Sequence, residues 1–416
     1  MTMAIEDIEK ALTELNGVLR TALKTLGSDC RHELMQSLHS PDELPEKHLY
    51  DLSTEAVDLL QEAKLLLEPR TAILADHFLG SANCKCLNAA VELDVPDILQ
   101  QQGALTIAQL AQACGAREDR LRQVMRVLQS AGIFAYEHDT ALYSNNECST
   151  LLLKDHWTGW RNWVDLYGNE FYDMARGIPA SCRQGEKRMP SQINFNTDLD
   201  MFSWFAAQGS LDRVHRTLGG GAIAQAPGIL ADYPWEQVAG GLIVDIGGGG
   251  GGLIAMLLRT FPNLRGGIFD RPEVISQAIA NFCDPDGLYR DVGDRVSKEN
   301  LHAGDFFKEI PSYEVYCMKW CLHDWKDDDV VTILKNIRKA IIPGPKSRLV
   351  LLEILLKKGR SGHLSRMADL SVMMAANGLE REEWEWDSLA AQSGWKIACK
   401  YDLRNAWPCA MELVPA

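Results

Sequence analysis

The chain has few of the features that mark membrane, secreted or nucleic-acid-binding proteins. Its 416 residues carry 42 Lys and Arg against 57 Asp and Glu, a net charge of −15. This excess of acid opposes any partner held mainly through phosphates, so we predict no nucleic-acid partner. No apolar run is long enough for a signal peptide or a membrane span, which predicts no membrane contact. The eleven cysteines are scattered without paired spacing, which favours a reducing, cytoplasmic compartment.

Ligand patterns for a metal ion are also missing. The two close cysteine pairs, Cys84 with Cys86 and Cys317 with Cys321, lack the second pair of Cys or His that a zinc site needs. Buried apolar thiols are the commoner role for such residues. The sequence therefore predicts no metal.

The chain does have a length and a pattern of apolar residues, changing from one segment to the next, that predict two or three domains. Residues 1–70 place apolar side chains three and four apart, which predicts amphipathic helices. Such helices must pack on the rest of the chain or on a second subunit, so we predict a dimerisation segment and a homodimer. Residues 71–153 predict a winged-helix domain, with Gly115 at the tight turn.

The second half of the chain has a different pattern. Residues 154–240 are rich in Trp, Phe and Tyr, which predicts a helical linker that seals two lobes and forms the wall of a substrate pocket. Residues 241–416 alternate short β-rich runs with helices, which predicts a parallel sheet covered on both faces. The expected fold class is α/β, a Rossmann-like domain after an all-α and winged-helix region.

The winged helix leaves a DNA-binding protein open as an alternative. Its second helix carries four arginines between positions 117 and 126, and basic helices of this kind contact DNA. Glu118 and Asp119 in the same helix, and the acidic chain as a whole, oppose that interpretation. A helix-turn-helix is equally a packing unit.

A glycine loop carries the first chemical signal. The run VDIGGGGGGLIAM follows a buried strand at 242–246 and opens a helix. It matches the G-x-G-x-x-G spelling of dinucleotide sites through Gly247, Gly249 and Gly252, with Asp270 at the spacing of a ribose-binding acid. Asp245, just before the loop, would repel a pyrophosphate but suits an ammonium group. The motif therefore favours S-adenosylmethionine (SAM) over NAD as the ligand. On this motif alone, an NAD site stays open as an alternative.

Further polar side chains follow the next strands. Asp270 ends the run GIFD, where its carboxylate can accept both hydroxyls of a ribose. Asp305 and Phe306 lie in a loop that could hold an adenine. Lys319 near the end of the strand EVYCMKW, and His323 and Asp324 just after it, lie at its carboxyl end, the sheet edge where ligands bind in open α/β folds. Glu353 and Glu380 supply acidic partners for the histidine.

Taken together, these segments resemble the plant and fungal small-molecule O-methyltransferases. The resemblance covers the chain from Leu242 to its end and, more loosely, from about residue 75. It rests on VDIGGGGG at 244–251, FDRPEVI at 269–275, GDFF at 304–307, MKWCLHDW at 318–325, Glu353, and DLSVMMAANGLERE at 369–382.

The resemblance implies SAM as cofactor and a hydroxyl of an aromatic or polyketide-like small molecule as methyl acceptor. The residues expected to bind the cofactor are Asp245, Gly247, Gly249, Asp270, Arg271, Asp305, Phe306 and Lys319. The residues expected to act in catalysis are His323 as general base with Glu353, Glu380 and Asp324 beside it. The resemblance also implies that the winged-helix lobe closes the active site of a partner subunit.

Two departures and one alternative accompany the resemblance. Relatives usually place a methionine near Ala206–Gln208 and a Thr or Ser where this chain has Glu382. The same fungal group includes pericyclases that bind SAM but transfer no methyl group. A pericyclase on this fold therefore stays open as the second interpretation.

Overall fold

A computed structural model describes residues 2–238 and 241–416. Three residues lie outside the described ones: Met1, Ala239 and Gly240. They fall at or near the limits of the predicted segments 1–70, 154–240 and 241–416. The chain divides into two compact units between Ala56 and Val57. The first unit holds α1 (Thr2–Lys24), α2 (Arg31–Leu38) and the start of α3 (Lys47–Leu67). No helix in the described ranges is both long and apolar enough to span a bilayer.

The second unit begins with helices and a small sheet. They are α4 (Arg70–Leu79), α5 (Asn83–Glu92), α6 (Val95–Gln102), β1 (Leu105–Thr106), α7 (Ile107–Cys114), α8 (Glu118–Ser130), β2 (Ala135–Glu137), β3 (Leu142–Ser144) and α9 (Glu147–Thr150). Helix α7 starts at a capping box between Thr106 and Gln109 and ends at Gly115, whose φ of 65° needs glycine. The strands pair in the order β1-β3-β2. The predicted winged helix, with Gly115 at its turn, is therefore confirmed.

The aromatic-rich stretch forms several short helices followed by one long helix. They are α10 (Trp160–Leu166), α11 (Tyr172–Met174), α12 (Ile178–Ser181), α13 (Pro190–Phe195), α14 (Met201–Ala207) and α15 (Leu211–Asp232). Some of its aromatic residues are core, such as Trp235, which is fully buried. Others, such as Trp163 and Tyr167, line a cavity. The stretch thus contributes both to the core and to a cavity wall, and its role as the wall of a substrate pocket stays a prediction.

The remaining residues form the large sheet and its covering helices. The strands are β4 (Leu242–Ile246), β5 (Arg265–Asp270), β6 (Leu301–Ala303), β7 (Val315–Lys319), β8 (Arg348–Leu356), β9 (Arg381–Glu382), β10 (Trp395–Asp402) and β11 (Pro408–Pro415). The helices are α16 (Gly252–Thr260), α17 (Pro272–Cys283), α18 (Asp327–Ala340), α19 (His363–Ala376) and α20 (Glu383–Gln392).

The sheet order is β10-β11-β8-β7-β4-β5-β6, with β9 paired to β8. Strands β4 to β8 are parallel, and their side chains alternate between two cores: Ile243 faces one and Val244 the other. The predicted parallel sheet is present in β4 to β8, and one edge of the sheet differs because β10 and β11 form an antiparallel hairpin. Only five residues connect these two strands, and a parallel pair would need a long crossover.

This strand order decides where a ligand can bind. From β4 the chain moves to β5 and β6 on one side, then crosses to β7 on the other. The connection after β4 leads to one side of the sheet and the connection after β7 leads to the other. A crevice therefore opens beyond the carboxyl ends of β4 and β7. The glycine loop follows β4 and Lys319 ends β7, so both lie at this crevice.

Candidate active site

The glycine loop turns the chain from β4 into α16. Gly247, Gly249 and Gly251 have φ values of 71°, 57° and 94°, a left-handed backbone that side chains resist. Space is not the constraint at Gly249, where a Cβ would meet nothing within 4 Å. The loop therefore exposes backbone at the start of a helix, where a ligand can approach closely.

Asp270 lies directly against this loop. It ends β5, and its Oδ2 accepts a hydrogen bond from the Gly249 nitrogen at 2.9 Å, while Oδ1 accepts from the Arg271 nitrogen at 2.7 Å. The Arg271 side chain is 73% exposed and pairs with Glu273 at 3.3 Å. The structure thus brings Asp270 to the loop, whereas Arg271 contributes its backbone there.

Asp305 and Phe306 follow β6 on the same side of the sheet. The Gly304 nitrogen donates to the Asp270 carbonyl oxygen at 2.9 Å, which joins this loop to the end of β5. Phe306 packs edge-on against Trp325, with ring centres 5.8 Å apart. Asp305 Oδ1 accepts from the Phe307 nitrogen at 3.0 Å. A carboxylate and a ring therefore stand together beyond β5 and β6.

Asp245 is a buried carboxylate of β4 just before the loop, and Lys319 at the end of β7 interacts with its charge. Asp245 is 2% exposed, and its Oδ1 has no hydrogen-bond partner among the described residues. Burial raises the pKa of Asp245, an effect that Lys319 partly opposes. Burial likewise lowers the pKa of Lys319, against the attraction of Asp245. An unpaired buried carboxylate oxygen is costly, and a ligand that donates a hydrogen bond would satisfy it.

His323 lies on a single 3₁₀ turn, Leu322–Asp324, just beyond the end of β7. Its Nδ1 lies 2.8 Å from Oε1 of Glu380 and 3.9 Å from Oε2 of Glu353. Its Nε2, on the other side of the ring, has Asp324 at 3.8 Å. Both buried carboxylates thus lie on the Nδ1 side, which favours the tautomer with its proton on Nδ1 and leaves the Nε2 lone pair available.

The acidic neighbours change the basicity of this histidine. Burial alone lowers the pKa of His323, but the Glu380 hydrogen bond and the charges of Glu353, Glu380 and Asp324 outweigh it and raise the pKa to about 9. Burial raises the pKa of Glu353 to about 7, although His323 opposes the shift, and burial raises that of Glu380 as well. The cluster therefore holds a proton on the imidazole at neutral pH.

His323, Glu353 and Glu380 are also relevant to the prediction that the site holds no metal. One ligand atom from each of His323, Glu353 and Glu380 lies within 4.8 Å of the others, close enough for a metal ion. The hydrogen bond and the opposite charges already account for this proximity when the imidazole is protonated. The metal-free site stays a prediction.

Three residues that fix His323 were not identified from the sequence. Arg381 is fully buried and donates to the carbonyl oxygens of Leu322, at 3.3 Å, and Trp325, at 2.7 Å, which bracket the turn. Asp369 accepts from the Glu380 nitrogen at 2.8 Å. A Cβ at Gly378 would collide with the carbonyl oxygen of His323. Arg381 and Gly378 belong to the quoted NGLERE segment, but their pattern gave no sign of burial.

An apolar cavity of about 200 Å³ lies beside His323. Its walls come from distant parts of the chain: Trp163, Tyr167, Phe171, Met201, Trp320 and Trp407. His323, Asp324 and Glu380 also line it. Met201 and Phe202 line it at the start of α14, a few residues before the FAAQ stretch where relatives usually have their methionine.

Comparison with known proteins finds a family match in each of two parts of the chain. Residues 229–396 match the O-methyltransferase domain, and residues 75–155 match the O-methyltransferase dimerisation domain. The chain is 52% identical over 411 residues to O-methyltransferase aclM of Aspergillus oryzae, across 98% of this chain and 95% of that protein.

Solved structures agree with this relationship. The mitomycin 7-O-methyltransferase MmcR is 30% identical with a TM-score of 0.65, over 83% of this chain and 98% of that one. CalO1, a methyltransferase in calicheamicin biosynthesis solved with S-adenosylhomocysteine (SAH), shares the fold with a TM-score of 0.71 at 24% identity, over 83% and 98%. The chain belongs to the O-methyltransferase family, enzymes that take their methyl group from SAM.

Proposed function

We propose that this enzyme methylates a hydroxyl group of an aromatic or polyketide-like small molecule in secondary metabolism, with His323 as the general base. The observation that carries the proposal is the position of His323, whose Nδ1 faces Glu380 at 2.8 Å and whose side chain lines an apolar, aromatic cavity. Relatives named for mitomycin and calicheamicin biosynthesis support this class of acceptor.

The residues at the crevice fit SAM. Bound there, SAM would supply a methyl group on a positively charged sulfur. The unpaired Oδ1 of Asp245 suits its ammonium group, and Asp270 suits the ribose hydroxyls. Asp305 and Phe306 suit the adenine, and Gly247 and Gly249 let the ligand lie against the backbone. Lys319 then contributes through its charge beside Asp245, and Arg271 through its backbone.

The basicity of His323 matches a phenol. A phenol has a pKa of about 10, so a histidine of pKa 6.5 would take its proton at a cost of about 5 kcal/mol. With the pKa of His323 raised to about 9, that cost falls to about 1.4 kcal/mol. The enzyme molecules whose His323 is neutral are the reactive ones: Nε2 accepts the proton while the oxygen attacks, and Glu380 and Glu353 stabilise the imidazolium that forms. Asp324 would add to that stabilisation from the Nε2 side.

His323→Gln tests the proposal. We expect unchanged SAM affinity by calorimetry and at least a hundredfold loss of methyl transfer by mass spectrometry. His302→Gln is the matched control, because His302 bonds Tyr313 through Nε2 and does not line the cavity. A variant that keeps its rate would contradict the base assignment. A rearranged product with SAM recovered unchanged would instead identify a pericyclase, the alternative.

We also propose a homodimer formed through the N-terminal region. Large apolar side chains of α3 and α4 are exposed, among them Leu66 at 78% and Phe78 at 61%. An exposed apolar surface of this kind needs a partner. Leu66→Ser with Phe78→Ser should give monomer in light scattering, whereas Leu288→Ser, at a site 68% exposed in the catalytic region, should not. A dimer that survives the double change contradicts this interface.

The free state of all eleven cysteines supports a reducing, cytosolic location for the enzyme. That location and the lack of a nucleic-acid partner stay predictions.

A further inference from the structure

The cavity wall carries a hydrogen-bond donor that the chain itself does not use. The indole N–H groups of Trp163 and Trp320 are buried, and neither has a hydrogen-bond partner among the described residues. Both rings line the cavity beside His323. Buried N–H groups in proteins are nearly always paired, so an unpaired one in a ligand cavity indicates a partner supplied by the ligand.

The two indoles differ in how they are held. Trp163 packs against α15, where a Cβ at Gly221 would collide with its ring and would lie 2.8 Å from its Nε1. The N–H edge of Trp163 therefore faces a helix. The ring of Trp320 instead lies 6.3 Å from that of Trp407, which also lines the cavity, and the Lys319 ammonium lies 4.6 Å from the centre of the Trp320 ring. We therefore assign the donor that a ligand would meet to Trp320.

The backbone at Trp320 supports a binding role. Trp320 has a φ of 50°, which a bulky residue rarely adopts, and its nitrogen donates to the Leu352 carbonyl oxygen of β8 at 3.1 Å. Strained positions of this kind persist where the surroundings impose them, and they cluster at ligand-binding sites. The strain comes directly after Lys319 at the end of β7, and it sets the direction of the indole.

Several other polar groups of the cavity have partners, although Oε2 of Glu380, an acceptor, has none among the described residues. His323 Nδ1 faces Glu380, and the Tyr167 hydroxyl interacts with Ser371. Since the N–H edge of Trp163 faces a helix, Trp320 is the unpaired buried donor that we assign to a ligand among the described residues of this wall. An indole N–H donates and cannot accept, so its partner must be an acceptor such as a carbonyl oxygen.

We propose that Trp320 determines specificity by donating a hydrogen bond to a carbonyl oxygen of the acceptor, which is an uncharged aromatic or fused-ring molecule carrying a carbonyl as well as its hydroxyl. The inference rests on the proposed function, since it assigns the substrate class of the same cavity. A site built to bond a polar group rejects analogues that lack it.

Matched probe pairs test the assignment. Hydroxyfluorenone and hydroxyfluorene, with the hydroxyl at the same ring position, differ only in the carbonyl, and so do hydroxytetralone and tetrahydronaphthol. Dissociation constants are measured by calorimetry on the SAH-saturated enzyme, and kcat/KM by mass spectrometry with SAM. We expect the wild type to prefer the carbonyl member by about tenfold. Trp320→Phe should reduce that preference to about twofold or less.

Trp407→Phe is the matched control. It removes an aromatic N–H from the same cavity, but that N–H is not among the unpaired buried groups. It should weaken both members of a pair alike and leave the carbonyl preference intact. If Trp320→Phe does not fold, the nitrogen-labelled indole of Trp320 in the wild type gives a second measurement. Its proton resonance should shift downfield with hydroxyfluorenone and stay in place with hydroxyfluorene.

The outcomes separate the two proposals. Equal methylation of both members, or a preference that survives in Trp320→Phe, overturns the role of Trp320 while leaving the methyltransferase intact. A carbonyl preference in binding without any methyl transfer overturns the proposed function and keeps the role of Trp320. Failure of the carbonyl member of both pairs to bind overturns the assigned substrate class.

Discussion

Glu380→Gln should remove the negative charge that raises the pKa of His323 while keeping the hydrogen bond that orients its ring. The glutamine amide oxygen can still accept from Nδ1, so the ring keeps its place while the negative charge is lost. The rise in the pKa of His323 from 6.5 to about 9 corresponds to about 3 kcal/mol in favour of the imidazolium. Among the described acids, Glu380 lies within hydrogen-bond distance of the ring, whereas Asp324 and Glu353 lie at 3.8 and 3.9 Å. Loss of its charge should therefore lower that pKa by about one to two units.

The expected kinetic result has two parts. In the wild type about one molecule in a hundred holds neutral His323 at pH 7, and the variant should hold about one in ten or more. The midpoint of the rise in kcat/KM with pH should therefore move down from about 9 by about one to two units. The alkaline plateau should fall about three- to tenfold, because a weaker base transfers the proton less readily.

The assay is kcat/KM between about pH 6 and 10, with product measured by mass spectrometry. Glu382→Gln is the control, since it removes the same charge two residues along at an exposed position that caps α20. It should leave the midpoint unchanged. If Glu380→Gln also leaves the midpoint in place while the protein stays folded, the acidic partner is not what raises the pKa of His323.

Two further substitutions test the cofactor side and the support of the turn. Asp270→Asn should weaken SAM binding by at least about a hundredfold in calorimetry, because it loses charge-assisted bonds worth on the order of 1.5 to 3 kcal/mol each; unchanged affinity in a folded variant would contradict the ribose assignment. Arg381→Met should lower kcat more than SAM affinity, since it frees the two carbonyl oxygens that bracket the His323 turn; a normal kcat would show that the turn holds without it.

The sequence allowed much of this site to be predicted because its residues follow strands. The strand at 242–246, the glycines after it and Asp270 at the next strand end could be located from local pattern alone, and the structure brings them together. The cavity could not be assembled that way, because Trp163 and Trp407 meet only through packing. Arg381 was missed for a related reason: charged residues are almost never fully buried, and nothing local marks the exception. The β10–β11 hairpin was missed because its strands lack clear alternation.

The charges around His323 explain why its basicity is raised and why that helps the reaction. Glu353 and Glu380 are buried carboxylates, and Arg381 is a buried cation that spans the same turn. Asp324 lies 3.8 Å from Nε2 of His323, and Arg381 also pairs with Asp327 at 2.9 Å, so acidic groups outnumber basic ones around the turn. A neutral imidazole leaves this excess of negative charge uncompensated in a poorly solvated place, which is costly and raises the pKa of His323 to about 9. In the proposed reaction, transfer of the acceptor's proton to Nε2 reduces that excess. The fixed charges therefore favour the state in which the proton has moved to Nε2, and they do so without reorganising as the oxygen attacks.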